Sequence, residues 1–540
     1  MEMNSLQSTI KNIKFKEPIS QNTHLIHLTL FLSFLSLSTP SSATPPSSSS
    51  SFPKPPPLPI LPLPSASQLS WQLGDMALFL HFGTNTFTDS EWGTGHIDPS
   101  IFNPTKLDAH QWVRVAKDAG FSRIIITVKH HDGFCLWPSA YTDYSVRSSP
   151  WKNGTGDILS ELATAAREAG IGLGVYLSPW DRHEASYGKT MEYNEFYMGQ
   201  MTELLTRYGE IKEVWLDGAK GEGEKDMEYF FDCWFSLIHQ LQPGAVIFSD
   251  AGPDTRWVGD EAGVAGFTCW SLFNRSSVTI GHTDAKYSSG GDPQGHDWVP
   301  AECDVSIRPG WFWHASELPK SALTLLDIYY KSVGRNCLWL LNVPPNSSGL
   351  ISDEDVQVLQ EFTELRRTIF SHNLAMVAVS TASSTRGGIV ESRFAPSNIL
   401  EEGIFHYWAP EEDQSDWVIY LDFGAPVSFN MIQIQEPIHM GQRVIEFHLE
   451  ILTEGLWQTV VYGTTIGYRR LMRFPTVESQ WLRLVIDKSR ADPLISNLGI
   501  YLDPFSILND APSNASSTSY FNGSRVIQPT VHNHSSSTAI

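Results

Sequence analysis

An aspartate closes the apolar run Val214-Trp215-Leu216-Asp217, and Gly218 follows it. A glycine there allows a tight turn and close backbone approach, so Asp217 reads as a carboxylate held at the end of a buried strand. With a second carboxyl about 5–5.5 Å away across a sugar ring, such a group can cleave a glycosidic bond with retention, one acting as nucleophile and the other as acid/base. An aspartate that only caps the next loop would leave the same pentapeptide. The second carboxyl is sought in Arg256-Trp257-Val258-Gly259-Asp260-Glu261-Ala262-Gly263, where Glu261 is the best candidate. An aromatic neighbour desolvates a carboxyl and raises its pKa, as a general acid requires. Asp260, Glu302 and Asp304 compete for that role, and a salt bridge to Arg256 is the plain alternative for any of them.

His130 and His131 are adjacent. Adjacent strand residues point to opposite faces, whereas two ligands of one metal ion must converge, so the pair reads as hydrogen-bond donors to sugar hydroxyls and not as a zinc site. No CxxC or His-rich spacing points to a metal elsewhere, and no cofactor is expected.

The elements that must position these groups alternate. Strands are expected at Ala77–Gly83, Arg123–Val128, Ile171–Ser178, Val214–Asp217, Ala245–Asp250 and Cys337–Val343. Helices are expected at Lys106–Ala119, Asp157–Glu168, Met191–Tyr208, Met227–Leu241, Ser321–Val333 and Asp353–Arg367. This β-α alternation predicts an α/β fold, a (β/α)8-like TIM barrel over residues 67–371, with His81, Lys129-His130-His131, Tyr176 and Asp217 at the C-terminal ends of its strands, where barrel enzymes keep their chemistry. The Gly-rich stretch 251–318 interrupts the pattern, and the barrel is expected to be incomplete there. Residues 372–510 change to short alternating segments, which predicts a C-terminal β-sandwich.

The formal charge of −22 opposes a phosphate backbone and excludes a nucleic-acid partner. Lys11, Lys14 and Lys16 precede an apolar run from Leu25 to Leu37, with small residues Ser41-Ser42-Ala43 after it. That pattern reads as a signal peptide over 1–43, and the run is too short for a stable membrane anchor; the protein is expected to be secreted and extracellular. Residues 44–66, dominated by Pro and Ser, read as a disordered tether, and 511–540 as a disordered tail. Asn153, Asn274, Asn346, Asn514, Asn522 and Asn533 begin glycosylation triplets. Five cysteines leave at least one unpaired in a monomer. The 18 tryptophans suit sugar stacking and core packing equally.

The strings HFGTNTFTDSEWG (81–93), VKHHDGF (128–134), GVYLSPWDRH (174–183), VWLDG (214–218) and RWVGDEAG (256–263) together resemble glycoside hydrolase family 29, the retaining α-L-fucosidases, and look closest to its α-1,3/1,4-selective branch. The resemblance implies Asp217 as nucleophile and Glu261, 44 residues on, as acid/base. It also implies sugar contacts from His81, Glu91, Trp92, His130, His131 and Tyr176. Trp215 or Phe134 would wall the methyl group of fucose. Asp260 stands where the family pattern leads one to expect Asn, and its charge should raise the Glu261 pKa further. FHYWAP (405–410) and WVIYLDFG (417–424) resemble the family's galactose-binding-like domain. The expected partners are fucosylated oligosaccharides or glycoprotein glycans, with Trp257, Trp270, Trp298, Trp311 and Trp313 available to grip the arm beyond fucose. A sugar-binding protein without turnover and a transfucosidase are the competing readings.

Overall fold

The computed structural model describes residues 54–506 apart from 222, 283 and 389–391. The expected signal segment, the first part of the tether and the C-terminal tail lie outside the described residues.

Eight parallel strands close a barrel: β1 (Met76–Leu80), β2 (Arg123–Lys129), β3 (Gly172–Leu177), β4 (Glu213–Trp215), β5 (Val246–Ser249), β6 (Thr255–Trp257), β7 (Ala301–Ser306) and β8 (Leu338–Asn342), with β8 pairing β1. Strands covered on both faces read as continuous apolar runs, and side chains still alternate in direction. Ala77 and Phe79 join Ile125, Tyr176, Trp215 and Phe248 in the barrel interior. Met76, Leu78 and Leu80 face outward to the helices. Those helices are α2 (Ala109–Asp118), α3 (Ile158–Ala169), α4 (Thr190–Arg207), α5 (Phe231–Leu241), α6 (Ala322–Lys331) and α7 (Asp353–Phe370); ahead of β1, α1 (Ala66–Gln72) sends Trp71 into the interior cluster. Asp108, Asp157 and Ser321 cap α2, α3 and α6 through side-chain bonds to backbone N–H groups, which satisfies donors no helix can satisfy itself.

The barrel is closed where an interruption was expected. β6 and β7 fill the gap; no helix lies between β5 and β6, and between β6 and β7 the described residues form a short 3-10 helix, Arg275–Ser277, and the six-residue helix Ala285–Gly290. β7 escapes a hydrophobicity reading because two of its buried positions are Glu302 and Asp304.

The second domain is one antiparallel sheet built from β9 (Val379–Ala382), β10 (Trp417–Gln435), β11 (Val444–Thr453), β12 (Leu456–Gly463), β13 (Arg470–Ser489) and β14 (Asn497–Tyr501). Register shifts between Asp422 and Val427 and between Phe429 and Met431 in the β10–β13 ladder fold these long strands around a second core that includes Trp408, Leu421, Phe429, Leu449 and Leu484. This is the architecture of a small sandwich.

The tether expectation needs correcting for residues 54–66. Four arginines of the second domain hold this Pro-rich arm by its carbonyls: Arg386 donates to Pro55, Arg393 to Lys54, Arg443 to Leu58 and Arg490 to Leu61. Proline-rich backbone has unused acceptors and little freedom to lose, so it suits such capture. Cys303 and Cys337 form a disulfide between β7 and the start of β8, leaving Cys135, Cys233 and Cys269 as thiols.

Candidate active site

A cavity of about 400 Å³ opens at the C-terminal ends of the barrel strands. Asp217, Glu261, His81, Glu91, Trp92, His130, His131, Tyr176 and Trp215 all line it. Phe79, Phe248, Asp250, Trp257, Asp304, Trp311 and the backbone around Gly218 and Gly281 complete the wall.

Asp217 stands two residues past β4. The Tyr176 hydroxyl donates to its Oδ2 at 3.0 Å and the Ala219 N–H to its Oδ1 at 2.7 Å. His131 Nε2 lies 3.7 Å from the same Oδ2. Tyr176 and Trp215, facing each other across β3 and β4, stack at 5.2 Å, and Phe248 stacks on the other face of Trp215 at 4.1 Å. The carboxylate therefore sits on an aromatic shelf with its orientation fixed from two sides.

Glu261 lies on the loop after β6, at the mouth of the cavity. The Trp311 indole N–H reaches its Oε2 at 3.3 Å. Its pKa is raised, first by desolvation and then by the negative charges of Asp217, Glu91 and Asp260. Asp260 does contribute a charge, as the sequence suggested, while its own Oδ1 accepts the Ala262 N–H in the turn. The competing carboxyls separate clearly. Glu302 is fully buried beneath Trp215, whose indole donates to it at 2.8 Å. Asp304 does face the cavity, bonded by the Trp257 indole at 2.8 Å, and burial followed by the charge of Glu261 pushes its pKa well up. No salt bridge joins any of them to Arg256 among the described residues; that guanidinium is buried and donates to the carbonyls of Ser288, Val299 and Trp270.

β2 ends at Lys129, so His130 and His131 escape strand alternation and both enter the cavity, their rings 4.1 Å apart. The partners of His131 and His81 fix which ring nitrogen of each carries the proton. Ser178 Oγ donates to the Trp180 carbonyl, so it accepts from Nδ1–H of His131 at 2.7 Å. Asn342 uses its amide N–H groups on Ser306 and Trp311, so its oxygen accepts from Nδ1–H of His81 at 2.9 Å. Burial pushes the pKa of His81 down to about 3 and that of His131 down to about 4. Both rings are neutral near pH 7, and each keeps an Nε2 lone pair free to act as an acceptor. Burial drives His130 well down too, and its Nδ1 has no partner among the described residues. Lys129 stays below, paired with Asp181 at 2.9 Å.

Glu91 and Trp92 reach the cavity from the loop after β1. Glu91 is clamped by the backbone N–H groups of Trp311 and Phe312 and by His314 Nε2 at 2.6 Å, while His314 Nδ1 meets Asp89 at 2.6 Å. Burial would lower the His314 pKa, but the two carboxylates hold it raised. Of the tryptophans put forward for gripping an outer sugar, Trp257 and Trp311 line the cavity; Trp270 and Trp298 are core residues and Trp313 does not line it. Phe134 is packed in the outer core, away from the cavity. Ser178 and Asn342 went unnoticed in the sequence, although both are polar groups at strand ends, the same signal that marked His81.

Fold and site together define the class: a barrel glycoside hydrolase with its carboxyl groups gathered at the C-terminal ends of the strands. A family model described as Alpha-L-fucosidase matches residues 70–366. Alpha-L-fucosidase 1 of Arabidopsis thaliana is 69% identical over 89% of this chain and 94% of its own length. Among solved structures, SpGH29 superposes with a TM-score of 0.80 at 41% identity, covering 83% of this chain and all of that one. A Ruminococcus gnavus GH29 fucosidase in complex with fucose gives 0.78 at 35% identity, covering 83% of this chain and 97% of that one. The chain belongs to the α-L-fucosidase family, glycoside hydrolase family 29, and is a hydrolase that releases fucose.

Proposed function

We propose that the protein is a retaining exo-α-L-fucosidase that removes 3- and 4-linked fucose from Lewis-type glycans, with Asp217 as nucleophile and Glu261 as acid/base. The observation that carries the reading is the shared cavity of two unlike carboxyls: Asp217 held as an acceptor by Tyr176 and Ala219, Glu261 with a raised pKa at the mouth. Asp217 attacks the anomeric carbon and the C–O bond to the aglycone breaks as Glu261 gives its proton to the leaving oxygen. Glu261 then takes a proton from water, which displaces Asp217 and restores both groups. His81, His130, His131, Glu91 and Trp92 bind the hydroxyl-bearing side of the ring, His81 and His131 as acceptors. Trp215, on the shelf below Asp217, serves the apolar methyl group. Glu261 is preferred to Asp304 because its place at the mouth suits leaving-group and water access.

The linkage preference rests on the resemblance of the Glu261 loop and of residues 81–93 to the α-1,3/1,4-selective branch. Trp257 and Trp311 stand at the cavity where a second arm of a branched glycan would lie, and contacts remote from the bond can orient it for attack. Hydrolysis of Lewis-type trisaccharides is compared with that of 2′-fucosyllactose. Higher kcat/KM on the trisaccharides is expected; equal values, or faster α-1,2 cleavage, remove the linkage claim and leave the fucosidase. Secretion, to the apoplast in a plant, is supported by the charged and apolar N-terminal pattern, and N-terminal sequencing of the extracellular protein tests it.

A further inference from the structure

Two glutamates the reaction does not use meet inside the barrel. Glu213 opens β4 and Glu302 lies on β7; both are fully buried. Glu213 has strong company: the Trp71 indole donates to its Oε2 at 2.8 Å, and Arg123 Nη1 reaches the same oxygen at 3.3 Å. Arg123 in turn donates to the Trp71 carbonyl at 2.9 Å. Glu302 meets no cation among the described residues; its Oε1 accepts the Trp215 indole at 2.8 Å. The remaining oxygens, Glu213 Oε1 and Glu302 Oε2, have no other donor among the described residues, and the two carboxyls lie within hydrogen-bond reach of each other.

One guanidinium balances one carboxylate. A second ionised carboxyl facing the first, out of water, would be uncompensated, and two carboxyls in that position share a proton instead. We propose that Glu302 is a neutral carboxylic acid that donates its proton to ionised Glu213 and, by accepting from Trp215, is a positioning residue for the active-site shelf. The connection continues from Trp215 through its stack on Tyr176 to the hydroxyl that holds Asp217. Burial and the facing Glu213 push the pKa of Glu302 well up, in agreement. Arg123 and Trp71 decide which partner ionises, because both bind Glu213.

The assignment makes an asymmetric prediction. Glu302→Gln keeps an oxygen for the Trp215 indole and an N–H for Glu213, so its kcat/KM should stay within about threefold of wild type with an unchanged pH profile. Glu213→Gln strands buried Arg123 and should melt roughly 5 °C or more earlier. Glu302→Leu fills the space and leaves the indole bare; kcat should fall by more than about tenfold with KM changed much less. The infrared difference spectrum between wild type and Glu302→Gln should contain a buried protonated-carboxyl band, separate from any contribution of Asp304, which both proteins share. The reverse asymmetry, a Glu302→Gln enzyme with a shifted pH profile, or a wild-type minus Glu302→Gln difference spectrum without a protonated-carboxyl band overturns the proposal. The activity arm rests on the fucosidase reading, while melting and the infrared band do not, so failure of one reading is separable from failure of the other. Should Glu302→Leu not fold, the two glutamine variants and the band decide the matter.

Discussion

The two carboxyls assigned to the reaction differ in what surrounds them, and each difference predicts a phenotype. Asp217 is held by donors, and its side chain packs no core. Asp217→Ala should abolish turnover while leaving the melting temperature near wild type, and azide should restore part of the activity with a fucosyl azide of inverted anomeric configuration as product. Appreciable unassisted turnover would remove Asp217 from its role. Glu261 is assigned as the proton donor, so Glu261→Ala should slow substrates with poor leaving groups far more than activated aryl fucosides; a small, uniform loss would move the role to Asp304. The neighbouring Asp260 tunes that proton. Its negative charge disfavours ionised Glu261 and raises the pKa, so Asp260→Asn, which keeps the oxygen used by Ala262, should lower it. The acid would then lose its proton at lower pH, and the alkaline limb of kcat/KM should move toward acid. Both sites are open to solvent, so the shift should shrink at high ionic strength. An unmoved limb would mean that Glu261 does not set it.

At the scale of elements, the strands that could be read were those with uninterrupted apolar runs, such as Arg123–Lys129 and Leu338–Asn342. Their ends pointed to His81, Tyr176 and Asp217 by the rule that a polar group closing a buried strand must have a reason to be there. β7 is hidden because the barrel interior tolerates Glu302 and Asp304, through tryptophan N–H groups of β4 and β6 that lie far away in sequence and that no local pattern announces. Strand alternation does not govern the histidine pair, because β2 ends at Lys129, and both rings reach the cavity. The Pro-rich arm was misjudged: its composition gives it no core, but its carbonyls are bound by arginines more than three hundred residues away. Because residues 54–60 do not line the cavity, deleting residues 1–60 should lower the melting temperature by about 2 °C or more and leave kcat unchanged. A loss of kcat without a loss of stability would show instead that the arm acts on the site.

At the scale of the whole molecule, the barrel does not finish its own core. Met431, Ile438, Tyr468, Leu471 and Tyr501, all from the second domain, belong to the same buried cluster as the outer faces of the barrel strands and helices. Polar contacts cross at the same place: the Tyr330 hydroxyl donates to Asp503 at 3.0 Å, Arg473 pairs with Asp327 at 2.7 Å, and Asn336 Nδ2 and Oδ1 bond the Cys269 carbonyl and the Tyr468 N–H. Ser271, on the excursion between β6 and β7, donates its backbone N–H to the side-chain oxygen of Gln442 at 2.8 Å. The second domain thus buttresses α6, the turn at the N-terminal end of β8 and the loop that follows Glu261, and of these only the loop reaches the cavity. Fully burying one large apolar side chain contributes about 1.5–3 kcal/mol, and whole domains are stable by only about 5–15 kcal/mol, so baring the barrel side chains that these five groups cover removes a margin of the same order as the total. A chain ending at residue 371 should therefore be insoluble or bind a hydrophobic dye, with no fucosidase activity. Recovery of a soluble, active 54–371 fragment with near wild-type kcat would show that the second domain is an appendage, and that the cavity is held by the barrel alone.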